Sequence, residues 1–160
     1  MVKRIRYLSK RPKSTQALHQ APGTVTYVGR KELVETVLEV IDYNGEAFER
    51  FTSKNPADAF NFETEDRTTW INIDGLSNTE EIEKIGKYYE LHPLIIEDIV
   101  NTNQRPKIDE YKDYFFIVAK MLYYREDGRL ENEHISMVLG KNYVLTFQEA
   151  DGDVFDGVRE

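Results

Sequence analysis

The residues of this chain best suited to chemistry form one short run, Leu91 to Asn101, reading LHPLIIEDIVN. Two adjacent carboxylates, Glu97 and Asp98, stand in an otherwise aliphatic stretch. Carboxylate oxygens are ligands for hard cations, and Mg2+ commonly takes one or two of them while keeping several waters. On a helix of about 100° per residue, Leu94, Ile95, Ile96, Ile99 and Val100 cover most of one side. Glu97 falls opposite that stripe, and Asp98 falls beside it, next to Leu94. The two carboxylates therefore diverge by about 100° and are poorly placed to chelate one ion together. Each can contribute to a separate site completed by another segment. A solvated helix face contains such acidic pairs as a matter of course, so the pair alone specifies no ligand.

Other reactive side chains form no constellation. His19, His92 and His134 are too far apart for a local zinc motif. His92 precedes Pro93 and reads as a helix entry, and His134 reads as a hydrogen-bonded sheet residue. The chain has no cysteine, which excludes a disulfide, a thiolate nucleophile and a Cys-based zinc site. No serine sits in a nucleophile elbow and no glycine-rich phosphate cradle is present. No enzyme active site is recognisable.

Charge narrows the partners. The net charge is −8, and six of the 21 basic residues (Lys3, Arg4, Arg6, Lys10, Arg11, Lys13) stand in the first twenty positions, which hold none of the 29 acids. The rest of the chain is thus strongly acidic. Such a body repels nucleic acid, whose affinity comes mainly from phosphate neutralisation, and attracts cations. Apolar runs stay short: Tyr114 to Ala119, resumed by Met121 to Tyr124 after Lys120. These fall well below the ~20 residues of a spanning helix, and no segment has the pattern of a secretory signal.

The elements that must position Glu97 and Asp98 belong to one α/β domain. Residues 1–21 read as a flexible basic arm, and 22–160 as a single domain cut at the start of a following helix. Thr24 to Val28 reads as a strand. Glu35 to Tyr43 reads as another, closed by Asn44-Gly45, with a short helical turn at Phe48 and Phe51. Lys54 to Arg67 reads as a loop or short helix, and Thr69 to Asp74 as a third strand. Ser77-Asn78-Thr79 and the acids after it start a helix carrying Ile82, Ile85 and Tyr89. Pro93 opens the next helix, which runs to about Asn101. Tyr114 to Tyr124 is apolar on both faces, as a strand in the middle of a covered sheet is. It leads into an antiparallel meander with Glu131 to Leu139 and Tyr143 to Gln148. A last helix starts at Asp151 to Asp153, with Val154, Phe155 and Val158 as its stripe; its shortness implies that the native protein continues.

An ordered set of these segments resembles the CorA family of magnesium and cobalt transporters. The set is Thr69-Trp70-Ile71-Asn72-Ile73, His92 through Asn101, Gln104-Arg105-Pro106-Lys107, Ile117 through Met121, Val144 through Glu149, and Gly152 through Asp156. It spans about residues 22–160. The resemblance implies a cytosolic regulatory domain: an α/β/α sandwich whose mixed, largely antiparallel sheet is covered by helices on both faces. A stalk helix and two C-terminal membrane helices would follow, and five copies would form a funnel around a pore in the cell membrane. The family's Gly-Met-Asn pore signature is not in this chain. By position, Asp98 matches the acid of the divalent-metal sensing site between neighbouring subunits, and Glu97 matches a second, weaker site. The partner carboxylates lie beyond Glu160, and Mg2+ or Co2+ is implied as both the regulatory and the transported ion. Trp70 and Phe115 to Met121 are expected in the core, with Arg105-Pro106 fixing a loop. The rival readings are a free-standing protein-interaction module without metal sensing and, more remotely, an enzyme.

Overall fold

The computed structural model describes residues 24–29, 35–60, 62, 66–125, 127–149, 152 and 154–159. The basic arm, with His19, lies outside them.

Seven strands form one sheet in the order β2-β1-β3-β7-β6-β5-β4. They are β1 (Val37–Tyr43), β2 (Phe48–Ser53), β3 (Thr68–Asp74), β4 (Lys107–Glu110), β5 (Phe115–Tyr124), β6 (Leu130–Leu139) and β7 (Tyr143–Gln148). Neighbours are antiparallel except β3 and β7, which run parallel in register Ile71 to Leu145 and Ile73 to Phe147. Among the described residues the helices are α1 (Thr79–Tyr88), α2 (Pro93–Val100) and the single turn α3 (Asp156–Arg159), with a short 3-10 helix at Pro56–Ala59.

Strand alternation sends side chains to two faces. Leu38, Val40, Ile71, Ile73, Phe116, Val118, Val138, Leu145 and Phe147 share one face and pack with Ile82, Ile85, Ile95, Ile96, Ile99 and Val100 of α1 and α2. Each such aliphatic or aromatic side chain contributes about 1.5–3 kcal/mol by leaving water. The helices approach closely because Gly86 has no side chain: a Cβ there would stand 2.5 Å from Ile96 Cδ1. On the opposite face α3 sits over Trp70. Phe155 meets that ring edge-on and the Arg159 guanidinium lies 4.9 Å from its centre. The expected α/β/α arrangement, with a mixed sheet and helices on both faces, is therefore present.

Several expectations are corrected. Residues 24–28 form no strand; Val28 makes a single parallel bridge to Asn101, donating to Val100 O at 2.9 Å and accepting from Thr102 N at 3.0 Å. The helical turn at Phe48 and Phe51 is instead strand β2. Asn44 Oδ1 accepts from both Glu46 N and Ala47 N, which tightens a hairpin and sets Phe51 opposite Val40 on the helix-covered face. β5 is not central but next to the edge, so Phe115, Leu122 and Tyr124 remain exposed at its ends. Trp70 is not in the helix-covered core; it is partly buried on the other face. Leu94 is 48% exposed, leaving Ile95, Ile96, Ile99 and Val100 as the buried stripe of α2. Asp151 and Asp153 lie outside the described residues, and the helical turn that is described begins at Asp156.

Candidate metal centre

Helix α2 begins where the sequence dictates. Pro93 fills the first turn, and the preceding His92 caps it, Nδ1 accepting from Leu94 N at 3.2 Å. His92 is thereby a cap. Its backbone N–H donates to Tyr114 Oη at 3.0 Å, tying the helix entry to the start of β5. The apolar stripe then fixes the rotation of α2, leaving Glu97 and Asp98 half-buried at the rim.

Asp98 lies in the last turn of α2, at the end where backbone carbonyls concentrate partial negative charge. A carboxylate there gains from a cation. The fold supplies one. The chain leaves α2 through a loop pinned by the Val28 bridge and by Lys120 Nζ, which donates to Thr102 O at 2.8 Å. After Arg105-Pro106 it returns as β4, with Lys107 paired opposite Val118 of β5. Lys107 Nζ reaches Asp98 Oδ2 at 2.7 Å and Asp109 Oδ2 at 2.6 Å. Gln104 Nε2 donates to the other oxygen, Asp98 Oδ1. The ammonium also stands 5.4 Å from the centre of the Phe116 ring. Burial is the largest influence on Lys107 and opposes its charge, but hydrogen bonds and charge from Asp109 and Asp98 outweigh it and raise the lysine pKa.

Glu97 precedes Asp98 on α2, about 100° away by helical spacing, and is half-buried. The structure gathers Asp98, Gln104, Lys107 and Asp109. Among the described residues no group of three or more His, Asp or Glu is placed to hold a metal ion. A positive nitrogen already stands within 2.7 Å of the Asp98 carboxylate and of a second one.

The sequence does not mark Lys107 and Asp109 as site residues. Their i, i+2 spacing puts them on one face of a strand, but β4 has only four residues and its pattern is too brief to stand out.

His134 lies elsewhere, buried on the helix-covered face beyond Val118 and Ser136. It shares a hydrogen bond with Ser136 Oγ at 2.8 Å and lies 3.5 Å from Lys120 Nζ. Burial, then the Lys120 charge, push its pKa down to about 4, against a smaller opposing pull from Glu149. A cleft of about 390 Å³ lined by Tyr88, Tyr89, Glu90, Asp113, Tyr114, Lys141 and Tyr143 contains neither histidine nor serine.

An α/β/α sandwich carrying a rim carboxylate at the C-terminal turn of a short helix is the class that sequence and geometry define. A family model described as CorA-like Mg2+ transporter protein matches residues 65–160, and the chain belongs to that family. It is 42% identical over 140 residues, 87% of its length, to a cobalt/magnesium transport protein CorA of Thermotoga maritima, of which it covers 40%. It is 33% identical over 91 residues, 57% of its length, to a putative metal ion transporter of Bacillus subtilis, of which it covers 27%. The chain therefore spans well under half of these relatives. The fold also matches two solved structures. One is the complete CorA magnesium transporter of Methanocaldococcus jannaschii, at TM-score 0.53 and 17% identity, covering 81% of this chain and 36% of that one. The other is the ZntB cytoplasmic domain of Vibrio parahaemolyticus, at TM-score 0.57 and 11% identity, covering 74% of this chain and 46% of that one. Among the described residues no helix is long and apolar enough to cross a membrane.

Proposed function

We propose that this chain is the divalent-metal-sensing regulatory domain of a CorA-type Mg2+/Co2+ transport channel, facing the cytoplasm within a homopentamer. Membership of the family supports the transport setting. The observation that carries the sensing role is Asp98: a carboxylate at the negative end of α2, held at the rim and already paired with a cation. Asp98 is the principal ligand in this reading and Glu97 belongs to a second, weaker site. The chain itself acts as a scaffold for ions and performs no catalysis.

Glu97 and Asp98 diverge by about 100° on α2, and a neighbouring subunit completes each site. When bound, Mg2+ or Co2+ supplies positive charge that offsets repulsion between acidic subunit faces. Asp98 contributes its oxygens at a rim fixed by the α2 stripe. Without compensation, the acidic faces repel and the subunits separate. Two half-sites presented together define the closed arrangement, so ligand stabilises that arrangement by mass action.

The test is ion flux through the full-length protein at controlled internal Mg2+. Asp98→Ala should shift closure to at least about tenfold higher Mg2+, equivalent to about 1.4 kcal/mol of lost coupling. Glu97→Ala should shift it less. Closure at unchanged Mg2+ in Asp98→Ala would remove Asp98 from the sensor.

A further inference from the structure

We propose that Lys107 is a tethered competitor at the Asp98 site: its ammonium occupies the carboxylate, and a divalent cation gains Asp98 only by displacing it. This rests on the reading of Asp98 as a metal ligand and adds what sets the working range of that ligand.

Three observations support it. Lys107 Nζ contacts the same carboxylate, at Oδ2 and 2.7 Å, that a metal would use. The lysine is built in rather than draped over the surface, since its backbone is paired to β5 opposite Val118 and its ammonium lies near the Phe116 ring. Asp109, on the same face of β4, holds the ammonium at 2.6 Å and offers it a partner after displacement. Lys107 can therefore leave Asp98 without becoming an unpaired charge.

The consequence is quantitative. An intramolecular ammonium competes at an effective concentration fixed by its tether, so the apparent affinity of Asp98 for a divalent ion is lower than the bare carboxylate would give. The site then stays in its lysine-paired form until free metal is high. Gln104 occupies the other oxygen without charge and adds orientation rather than competition.

The experiment is a titration of the assembled full-length protein with Mn2+, a paramagnetic substitute for Mg2+, followed by line broadening of the α2 backbone amides. Lys107→Met should lower the Mn2+ concentration for half-broadening around Asp98 about fivefold, the equivalent of about 1 kcal/mol. Lys84→Met removes an exposed charge on α1 and should change it less than about twofold, which separates local displacement from net charge. Lys107→Gln serves the same purpose should the methionine variant fold poorly. If Lys107→Met and Lys84→Met behave alike while Asp98→Asn abolishes the broadening, Asp98 is a ligand but Lys107 is not its competitor. If Asp98→Asn leaves the broadening unchanged, the ligand reading fails, and the competition with it.

Discussion

The two faces of this sheet are built on opposite principles. Toward α1 and α2 the strands present Leu38, Val40, Ile71, Ile73, Leu145 and Phe147, all essentially without solvent exposure. On the other face, the same central strands present a polar ladder. Trp70 Nε1 donates to Thr146 Oγ1 at 3.0 Å, Thr146 Oγ1 donates to Asn72 Oδ1 at 2.6 Å, and Asn72 Nδ2 donates to Asp74 Oδ1 at 3.1 Å. Gln148 Nε2 closes on the same Asp74 oxygen. Asn72, Thr146 and Gln148 are nonetheless as buried as core residues. The apolar face gains from non-directional burial and orients α2, whereas the polar face depends on directed hydrogen bonds that tolerate little change. Asp98, paired with Lys107, sits at the rim of the apolar face.

Three substitutions or conditions separate these principles, in decreasing order of effect. Phe147→Ala removes a wholly buried ring from the helix-covered face and should cost about 3–5 kcal/mol in denaturant unfolding. A loss below about 1 kcal/mol would mean that this face is loosely packed.

The second is acidification. His134 has a folded pKa of about 4 against an ordinary value of 6.5. Between those values the unfolded chain binds a proton that the folded chain refuses. Stability from this group is thus complete above pH 6.5 and declines as pH falls toward 4, by about 3 kcal/mol at most. His134→Gln should flatten the stability profile in that window. An unchanged slope would show that the histidine is protonated in place, with Lys120 yielding.

The smallest of the three tests the polar ladder. Thr146→Val keeps shape but leaves Trp70 Nε1 and Asn72 Oδ1 without their shared hydroxyl. The expected loss is about 1–3 kcal/mol, with a change in Trp70 fluorescence. A neutral result would place water within reach of both groups.

The contrast between the faces also explains what could be read in advance. Strands β3, β5, β6 and β7 and helices α1 and α2 announce themselves through alternation, turn residues and a proline at a helix start. The divergence of Glu97 and Asp98 follows from helical spacing alone. β2 escaped because Phe48 and Phe51 stand three apart and mimic a helical turn, and only the Asn44 turn geometry sets them into a hairpin. β5 looked central because both its faces are apolar, but exposure at Leu122 and Tyr124 depends on where the helices end, which no local pattern encodes. The cation at Asp98 was invisible for a related reason. Lys107 is nine residues further on, and the pair meets only because the Val28 bridge and the β4–β5 pairing fold the chain back.

The most direct test of the central claim is Mg2+ binding to the assembled full-length protein, measured by calorimetry for wild type and Asp98→Asn. If Asp98 is a sensor ligand, the substitution removes one class of Mg2+ sites, or weakens it at least about tenfold, while the weaker class that includes Glu97 persists. Identical binding isotherms for the two proteins would contradict the account.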